Sequence, residues 1–321
     1  MIKEGIRRFM RIIEGTDRIP PEFAGAFITI GNFDGIHLGH RYILQKLVGE
    51  AARAKRKSLL ITFVPHPKMI LHPERRPFYL LTTLEEKLTL LSAEGLDAVI
   101  LIPFTLAYAE TTAEAFIMDF LWQKLRVGKV FIGHDYTFGK DKQGNEAMLA
   151  TFGKKLGFEV EVIKAVATDN QIVSSTGIRK AIQEGNVKTA ASHLGRPYNV
   201  QGDIIKGMGR GAGLGFPTAN IKPHKELLPA TGVYAALANL EGARYQAVVN
   251  IGVNPTFGGV PLSLEVHLLD YSGGDIYGES MEIFFIDRLR EECCFSGPGA
   301  LIAQIKKDVK RARAMLKPYL S

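Results

Sequence analysis

The sequence predicts a doubly wound α/β domain followed by a small antiparallel β-barrel domain with a C-terminal helix. Three observations lead there. Apolar strand-like runs alternate with helically spaced segments through the first half of the chain. That alternation stops near residue 188. Beyond it, short β-type runs punctuated by glycine and proline take over, with no long helix before residue 298. A single hydrophobic core seldom grows past ~250–300 residues, so a chain of 321 residues is expected to form two domains, 1–188 and 189–321.

The elements follow in order. Met10 directly precedes a strand-like RIIEG, so residues 1–9 are read as a dispensable extension. AFITI at 26–30 is a short apolar strand ending at Gly31, and Tyr42 to Ala54 carries Ile43, Leu47 and Ala51 at helical spacing. SLLITF (58–63), AVILI (98–102), KVFIG (129–133) and FEVEVI (158–163) read as further strands. Between them, 84–93, 113–125 and 149–156 read as helices. Strands alternating with helices imply a parallel sheet covered on both faces. In the second half NVQGDII, GVYAALANL, RYQAVVNIGV, SLEVHLLDY and ESMEIFFIDRL are the expected barrel strands. A closing helix from about Gly299 to Leu316 shows an apolar stripe of Leu301, Ile305, Val309 and Ala312, with Pro318 at its end.

Composition excludes several classes. The only cysteines, Cys293 and Cys294, are adjacent, which rules out a disulfide framework and a multi-cysteine metal site. They are expected to pack in a reducing compartment, and the chain to be cytoplasmic. No apolar run approaches the ~20 residues of a membrane span, and the basic start MIKEGIRRFMRII lacks the apolar stretch of a secretory signal. The formal net charge of +7 suits ligands with several phosphates and equally nucleic acid, so it decides nothing alone. The basic run Arg53 to Lys57 falls at a helix end, where the dipole and solvent favour cations, so no nucleic-acid partner is expected.

Three motifs carry chemistry. Gly31, Asn32, Phe33, Asp34, Gly35, Ile36, His37, Leu38, Gly39 and His40 stand where a strand ends and a helix opens. Helix N-termini offer free N–H donors and positive potential to phosphates, and glycines let a backbone approach closely. His37 and His40 are three apart, hence neighbours on one face if the helix begins there. Two imidazoles can donate hydrogen bonds to charge growing on a triphosphate attacked at its α-phosphorus. A metal site is the rival, but a third ligand is missing nearby. Ser174, Ser175 and Thr176 open a second helix, with Arg179 one turn inside. A capping box competes there, but with the first motif the pair looks like two ends of one triphosphate site.

The third motif is Gly207 to Asn220, with five glycines in nine positions, 207–215. No Gly-Lys is followed by Ser or Thr, so it is no P-loop, and Pro217 stands where a dinucleotide turn needs a helix. Thr218 and Asn220 alternate to one side and present oxygens suited to Mg²⁺. SLEVHLLD at 263–270 puts Glu265 and His267 on one face. By pattern alone, Glu265 reads as a solvent-facing strand residue.

Together these segments resemble the prokaryotic bifunctional riboflavin kinase/FAD synthetase family. The His-x-Gly-His and Ser-Ser-Thr-x-Ile-Arg motifs, with TFVPHP (62–67), LLTTLEEKLTLL (80–91), PFT (103–105) and GHDYTFGKDKQGN (133–145), look like its nucleotidyltransferase half. LGRPYNVQGDIIKGMGRGAGLGFPTANI, LLPATGVYAA, VNIGVNPTFGG, LEVHLLDY and IYGESMEIFFIDRLREE resemble its kinase module over about 194–318. The resemblance implies a Rossmann-like nucleotidyltransferase domain over 1–188 and a riboflavin kinase domain over 189–321. It implies phosphorylation of riboflavin to FMN and adenylylation of FMN to FAD, from ATP with Mg²⁺. His37, His40 and Arg179 would act on the phosphates. Gly31, Asn32, Phe33, Asp34, Gly35, Gly39, Ser174, Ser175 and Thr176 would bind nucleotide in the first half, and Gly207, Gly213, Pro217, Thr218 and Asn220 in the second. Thr218 and Asn220 would also hold the metal, and Glu265 would serve as base on the ribityl 5′-hydroxyl. Phe63, Pro65, Asp135, Phe138 and Arg288 would bind flavin. Three residues depart from the pattern: His134 beside Asp135, Ala212 in the glycine loop and Cys294 before Phe295. Three alternatives stay open: a nucleotidyltransferase for another phosphorylated acceptor, a protein with one of the two activities, and a flavin- or RNA-binding regulator without turnover.

Overall fold

The computed structural model describes residues 10–75, 78–168, 171–207, 210–253 and 262–319. Residues 1–9, Met208 and Gly209 of the glycine loop, and 254–261, which include the end of the VNIGVNPTFGG segment, lie outside that range. The chain divides into two compact units, one holding residues up to Phe78 with Leu84–Val173, the other Tyr79–Thr83 with Ser174–Ser321.

The first unit is built on a six-stranded parallel sheet. Its strands are β1 (Arg11–Glu14), β2 (Phe27–Ile30), β3 (Ser58–Val64), β4 (Ala98–Pro103), β5 (Lys129–Gly133) and β6 (Glu159–Ile163), in the order β1-β4-β3-β2-β5-β6. The central strands are apolar on both sides because both faces are covered. Leu60, Val99 and Phe131 pack with Leu44, Leu47 and Leu91 from the helices Leu38–Arg53 and Leu84–Ala93. Ile28, Ile61, Ile100 and Val130 face Ile117, Leu121 and Leu149 on the other side. The expected helix at 113–125 is real but wound wide: Phe116–Lys124 is π-helical, and Leu125 N donates to Phe120 O five residues back. The chain runs β2, β3, β4 outward, then returns to lay β5 on the far side of β2. That reversal makes the carboxyl ends of β2 and β5 the topological switch point, where open α/β sheets bind ligands.

The second unit carries a short hairpin-free helical lead-in, Ser175–Gln183 and Val187–Leu194, and then a closed antiparallel barrel. A small two-stranded ladder, β7 (Ala167–Thr168) and β8 (Gln171–Ile172), precedes it in the chain. The barrel strands are β9 (Tyr198–Ile205), β10 (Ala219–Pro223), β11 (Gly232–Leu240), β12 (Ala243–Val253), β13 (Leu262–Leu268) and β14 (Ser280–Arg290). Around the barrel they run β10-β13-β12-β11-β14-β9, and β10 pairs with β9 to close it. Interior positions alternate with outer ones: Val249, Val266 and Ala219 fill the inside. On the outside Val233, Ala235 and Val248 pack under the closing helix Pro298–Leu316 through Ala312 and Leu316. That helix also buries Asp308, whose carboxylate accepts from Arg290 Nε at 2.9 Å and Gln304 Nε2 at 2.8 Å. Cys293 and Cys294 are free and exposed, not packed as the sequence reading expected, because they follow β14 in an irregular surface segment.

Candidate functional site

In the first unit the residues after β2 form a strained turn. Phe33 (φ 46°), Gly35 (φ 87°) and Ile36 (φ 41°) are left-handed. A side chain there costs ~1–2 kcal/mol per residue, so Gly35 suits its place while Phe33 and Ile36 are held by burial. His37 is the N-cap of the helix Leu38–Arg53, its Nδ1 accepting from His40 N at 3.3 Å. A neutral His37 with Nδ1 as acceptor carries its proton on Nε2. The His37 and His40 rings stack at 3.6 Å between centroids, and Phe33 stacks on His40 at 4.5 Å. Burial first, then the neighbouring His37 and Lys87, hold the His40 imidazole well below its usual pKa of 6.5. A neutral His40 near a helix N-terminus can donate an N–H group without adding a mobile cation. Gly31 and Gly39 lie against these rings: a Cβ on Gly31 would reach the Phe33 ring at 3.1 Å, and one on Gly39 the His37 ring at 3.2 Å. Asp34 is buried, and Asn32 Oδ1 and His40 Nδ1 are buried with no hydrogen-bond partner among the described residues.

The proposed flavin residues of this unit divide. Phe63, next to last in β3, lies beside Phe104 and Tyr108, with centroids at 5.7 and 6.1 Å, and Pro65 follows the strand. Tyr108 and Phe104 were missed as site candidates; the PFT segment (103–105) held a signal for Phe104 but none for Tyr108. Asp135 is exposed after β5, lining a shallow hollow of about 340 Å³ with His134, Tyr136 and Asn145. Phe138 instead sits in the core, 8% exposed, against Phe116 and Tyr136.

Ser174, Ser175, Thr176 and Arg179 belong to the second unit. Ser174 is the N-cap: its Oγ accepts from Gly177 N at 3.2 Å, and Thr176 is exposed. Arg179 Nε donates to Tyr79 O at 2.7 Å. The helix it sits on ends at Gly185, where a Cβ would meet Tyr234 Oη at 2.9 Å and Arg288 Cδ at 3.1 Å. Arg288 is therefore half-buried between that helix end and the barrel, donating through Nη2 to Thr231 O. Burial pushes the nearby Tyr234 hydroxyl up to about 12, against the opposing effect of Arg288.

On the barrel, register assembles what spacing could not. Asn220 on β10 lies opposite Glu265 on β13, which lies opposite Asn250 on β12. Directly opposed residues share a face, so the three form one polar row on the outer wall, and all are half-buried. Asn250 was missed because strand pairing is invisible in a single sequence. His267, two residues along, is tied by Nδ1 to Pro217 O at 2.8 Å and meets the Phe216 ring edge-on at 5.6 Å. That contact seats Pro217, and with it Thr218, at the start of β10 beside Glu265. The glycine loop lies directly over the pair: a Cβ on Gly207 would fall 2.5 Å from Asn220 Cγ, and one on Gly211 would fall 3.1 Å from Thr218 Oγ1. Gly213, at the end of the short helix Arg210–Gly213, is exposed, and a Cβ there would meet none of the described residues within 4 Å.

Two family models match in tandem, FAD synthetase over residues 19–177 and riboflavin kinase over residues 194–316. The bifunctional riboflavin kinase/FMN adenylyltransferase of Haemophilus influenzae is 37% identical over 306 residues, 95% of this chain and 99% of that protein. The chain belongs to the bifunctional riboflavin kinase/FMN adenylyltransferase family. The family protein of Escherichia coli (strain K12) is 35% identical over 307 residues, covering 95% of this chain and 97% of its own. A crystal structure described as a macrolide-efflux protein from Streptococcus pneumoniae shares the fold with a TM-score of 0.86 at 30% identity, covering 95% of this chain and 99% of that one. Among the described residues no helix is long and apolar enough to cross a membrane. For this family, kinase and adenylyltransferase activities using ATP imply a divalent metal. The described residues hold no cluster of three or more His, Cys, Asp or Glu able to bind one. The hydroxyl of Thr218 and the amide oxygen of Asn220 are hard donors that fit such an ion when phosphate oxygens complete its shell.

Proposed function

We propose the following residue roles for the two activities of this family member, riboflavin phosphorylation to FMN and FMN adenylylation to FAD. The observation that carries the reading is that each unit holds its own polar constellation: a stacked histidine pair at a switch-point helix, and a polar row of Asn220, Glu265 and Asn250 beside a glycine loop.

In adenylyl transfer an FMN phosphate oxygen attacks the α-phosphorus of ATP, a new P–O bond forms, and pyrophosphate leaves. His37 and His40 donate to the phosphate oxygens as charge builds. Gly31, Asn32, Phe33, Asp34, Gly35 and Gly39 shape the backbone that approaches them. Ser174, Ser175, Thr176 and Arg179 are assigned to the same reaction by family resemblance. Phe63, Pro65 and Asp135 line the flavin side, and the aromatic neighbours Phe104 and Tyr108 extend that wall. Phe138 supports it from the core.

In the kinase reaction Glu265 accepts the proton of the ribityl 5′-hydroxyl as that oxygen attacks the γ-phosphorus and ADP departs. Thr218 and Asn220 would hold Mg²⁺, and the loop through Gly207, Gly213 and Pro217 would cover the phosphates. When bound, the ion neutralises charge on the transferred phosphoryl group. Arg288 is assigned to the flavin by resemblance, supported by its place beside Tyr234 at the barrel end. A cytoplasmic location belongs to the same proposal, supported by two exposed free thiols, which a reducing compartment keeps from pairing.

The test separates the two reactions in one protein. Incubation with riboflavin, ATP and Mg²⁺ should yield FMN and FAD on chromatography. Glu265→Gln should stop FMN formation while FAD still forms from supplied FMN, and His37→Ala should do the reverse. Unchanged FMN formation by Glu265→Gln would sink the kinase assignment.

A further inference from the structure

A lysine stands where the helix pattern calls for an apolar residue. In the helix Leu84–Ala93, positions 84, 87, 88 and 91 form one face; Leu91 is fully buried in the core, and Lys87 is only 8% exposed. Burying an ammonium is costly unless its charge is balanced and its donors are used. Lys87 Nζ donates to the Asn32 carbonyl oxygen at 2.8 Å, and Thr62 Oγ1 donates to the same oxygen at 3.2 Å. Asp34, 2% exposed, supplies favourable charge, while burial draws the lysine below its ordinary value.

The carbonyl so held belongs to the residue just before Phe33, the first left-handed residue of the turn. Phe33 stacks on His40, and His40 on His37. A strained backbone persists only where its surroundings over-determine it. A methionine of similar length would fill the same space but remove the ammonium donor that holds the Asn32 carbonyl at 2.8 Å.

We infer that Lys87 is a positioning residue for adenylyl transfer, fixing the Asn32 carbonyl so that Phe33 and the His37–His40 pair meet the donor phosphates in one geometry. The inference rests on the assignment of His37 and His40 to that reaction. The full-length protein tests it, because riboflavin phosphorylation reports on folding in the same preparation. Lys87→Met is expected to lower kcat for FAD formation at least tenfold, with KM for FMN and the rate of FMN formation each within twofold of wild type. Lys87→Arg, which keeps a donor and the charge, is expected to recover a third or more of the lost rate. FAD formation unchanged in Lys87→Met overturns the inference, as does an equal fall in both activities. Failure of the underlying reading looks different: His37→Ala and His40→Ala would then form FAD at the wild-type rate.

Discussion

Gly207 offers a perturbation whose size can be worked from the structure. Its Cβ in Gly207→Ala would lie 2.5 Å from Asn220 Cγ, where ordinary contact begins at 3.4 Å, and closer still to the amide nitrogen. The Asn220 amide must therefore retreat by at least about 1 Å (3.4 − 2.5 at Cγ), which its rotatable side chain permits without moving the strand. Misplacing a positioning group by ~1 Å costs on the order of 10²-fold in rate, roughly 2.7 kcal/mol of transition-state stabilisation. Gly207 is exposed, and an alanine there also restricts the unfolded chain, so stability should hold or rise by ~0.4–1 kcal/mol. The expected result is a protein with an unchanged melting temperature that forms FMN about a hundredfold more slowly, yet converts supplied FMN to FAD normally. The assay is separation of flavins after parallel incubations with riboflavin and with FMN. FMN formation within about threefold of wild type would refute the claim that the loop glycine clears space for a working Asn220.

Other outcomes follow from single features. His40 has a folded pKa below its unfolded value of 6.5, so the unfolded chain takes up a proton that the folded chain does not. Its contribution to stability is complete above 6.5 and lost as pH falls below it; thermal unfolding of wild type should steepen toward acid more than that of His40→Asn, and parallel curves would contradict this. Asp308→Ala strips the buried carboxylate from Arg290 and Gln304 and should cost ~2–3 kcal/mol in denaturant unfolding. A loss under ~1 kcal/mol would mean that Arg290 finds other partners. Stripping divalent metal with a chelator should halt FMN formation, and Mg²⁺ should restore it. Persistent turnover in chelator would remove Thr218 and Asn220 as metal ligands.

Much of this protein was legible in one dimension. Most strand and helix segments of both halves were found because period and apolarity are local properties, but β10 (Ala219–Pro223) was not among the five expected barrel strands, being short and bounded by prolines. The His37–His40 pair was visible because residues three apart share a helix face. Glu265 was different: by pattern it read as an ordinary strand residue, and only family resemblance raised it. Its row with Asn220 and Asn250 depends on how β10, β13 and β12 pair. Lys87 was likewise hidden, since its burial depends on the turn after β2 rather than on its own helix. The helix after Ser174 gave no hint that it groups with the barrel's unit, nor did Phe138 reveal that its ring turns into the core.

Order along the chain thus determined the two fold types and the short motifs, because hydrogen-bonded periodicity and helix-end chemistry act over a few residues. Tertiary structure alone decided the strand order that puts the switch point at β2 and β5, the cross-strand row on the barrel wall and the charge buried beneath the histidines. Those depend on which distant segments share a core, and long-range pairing leaves no mark in the spacing of a single sequence.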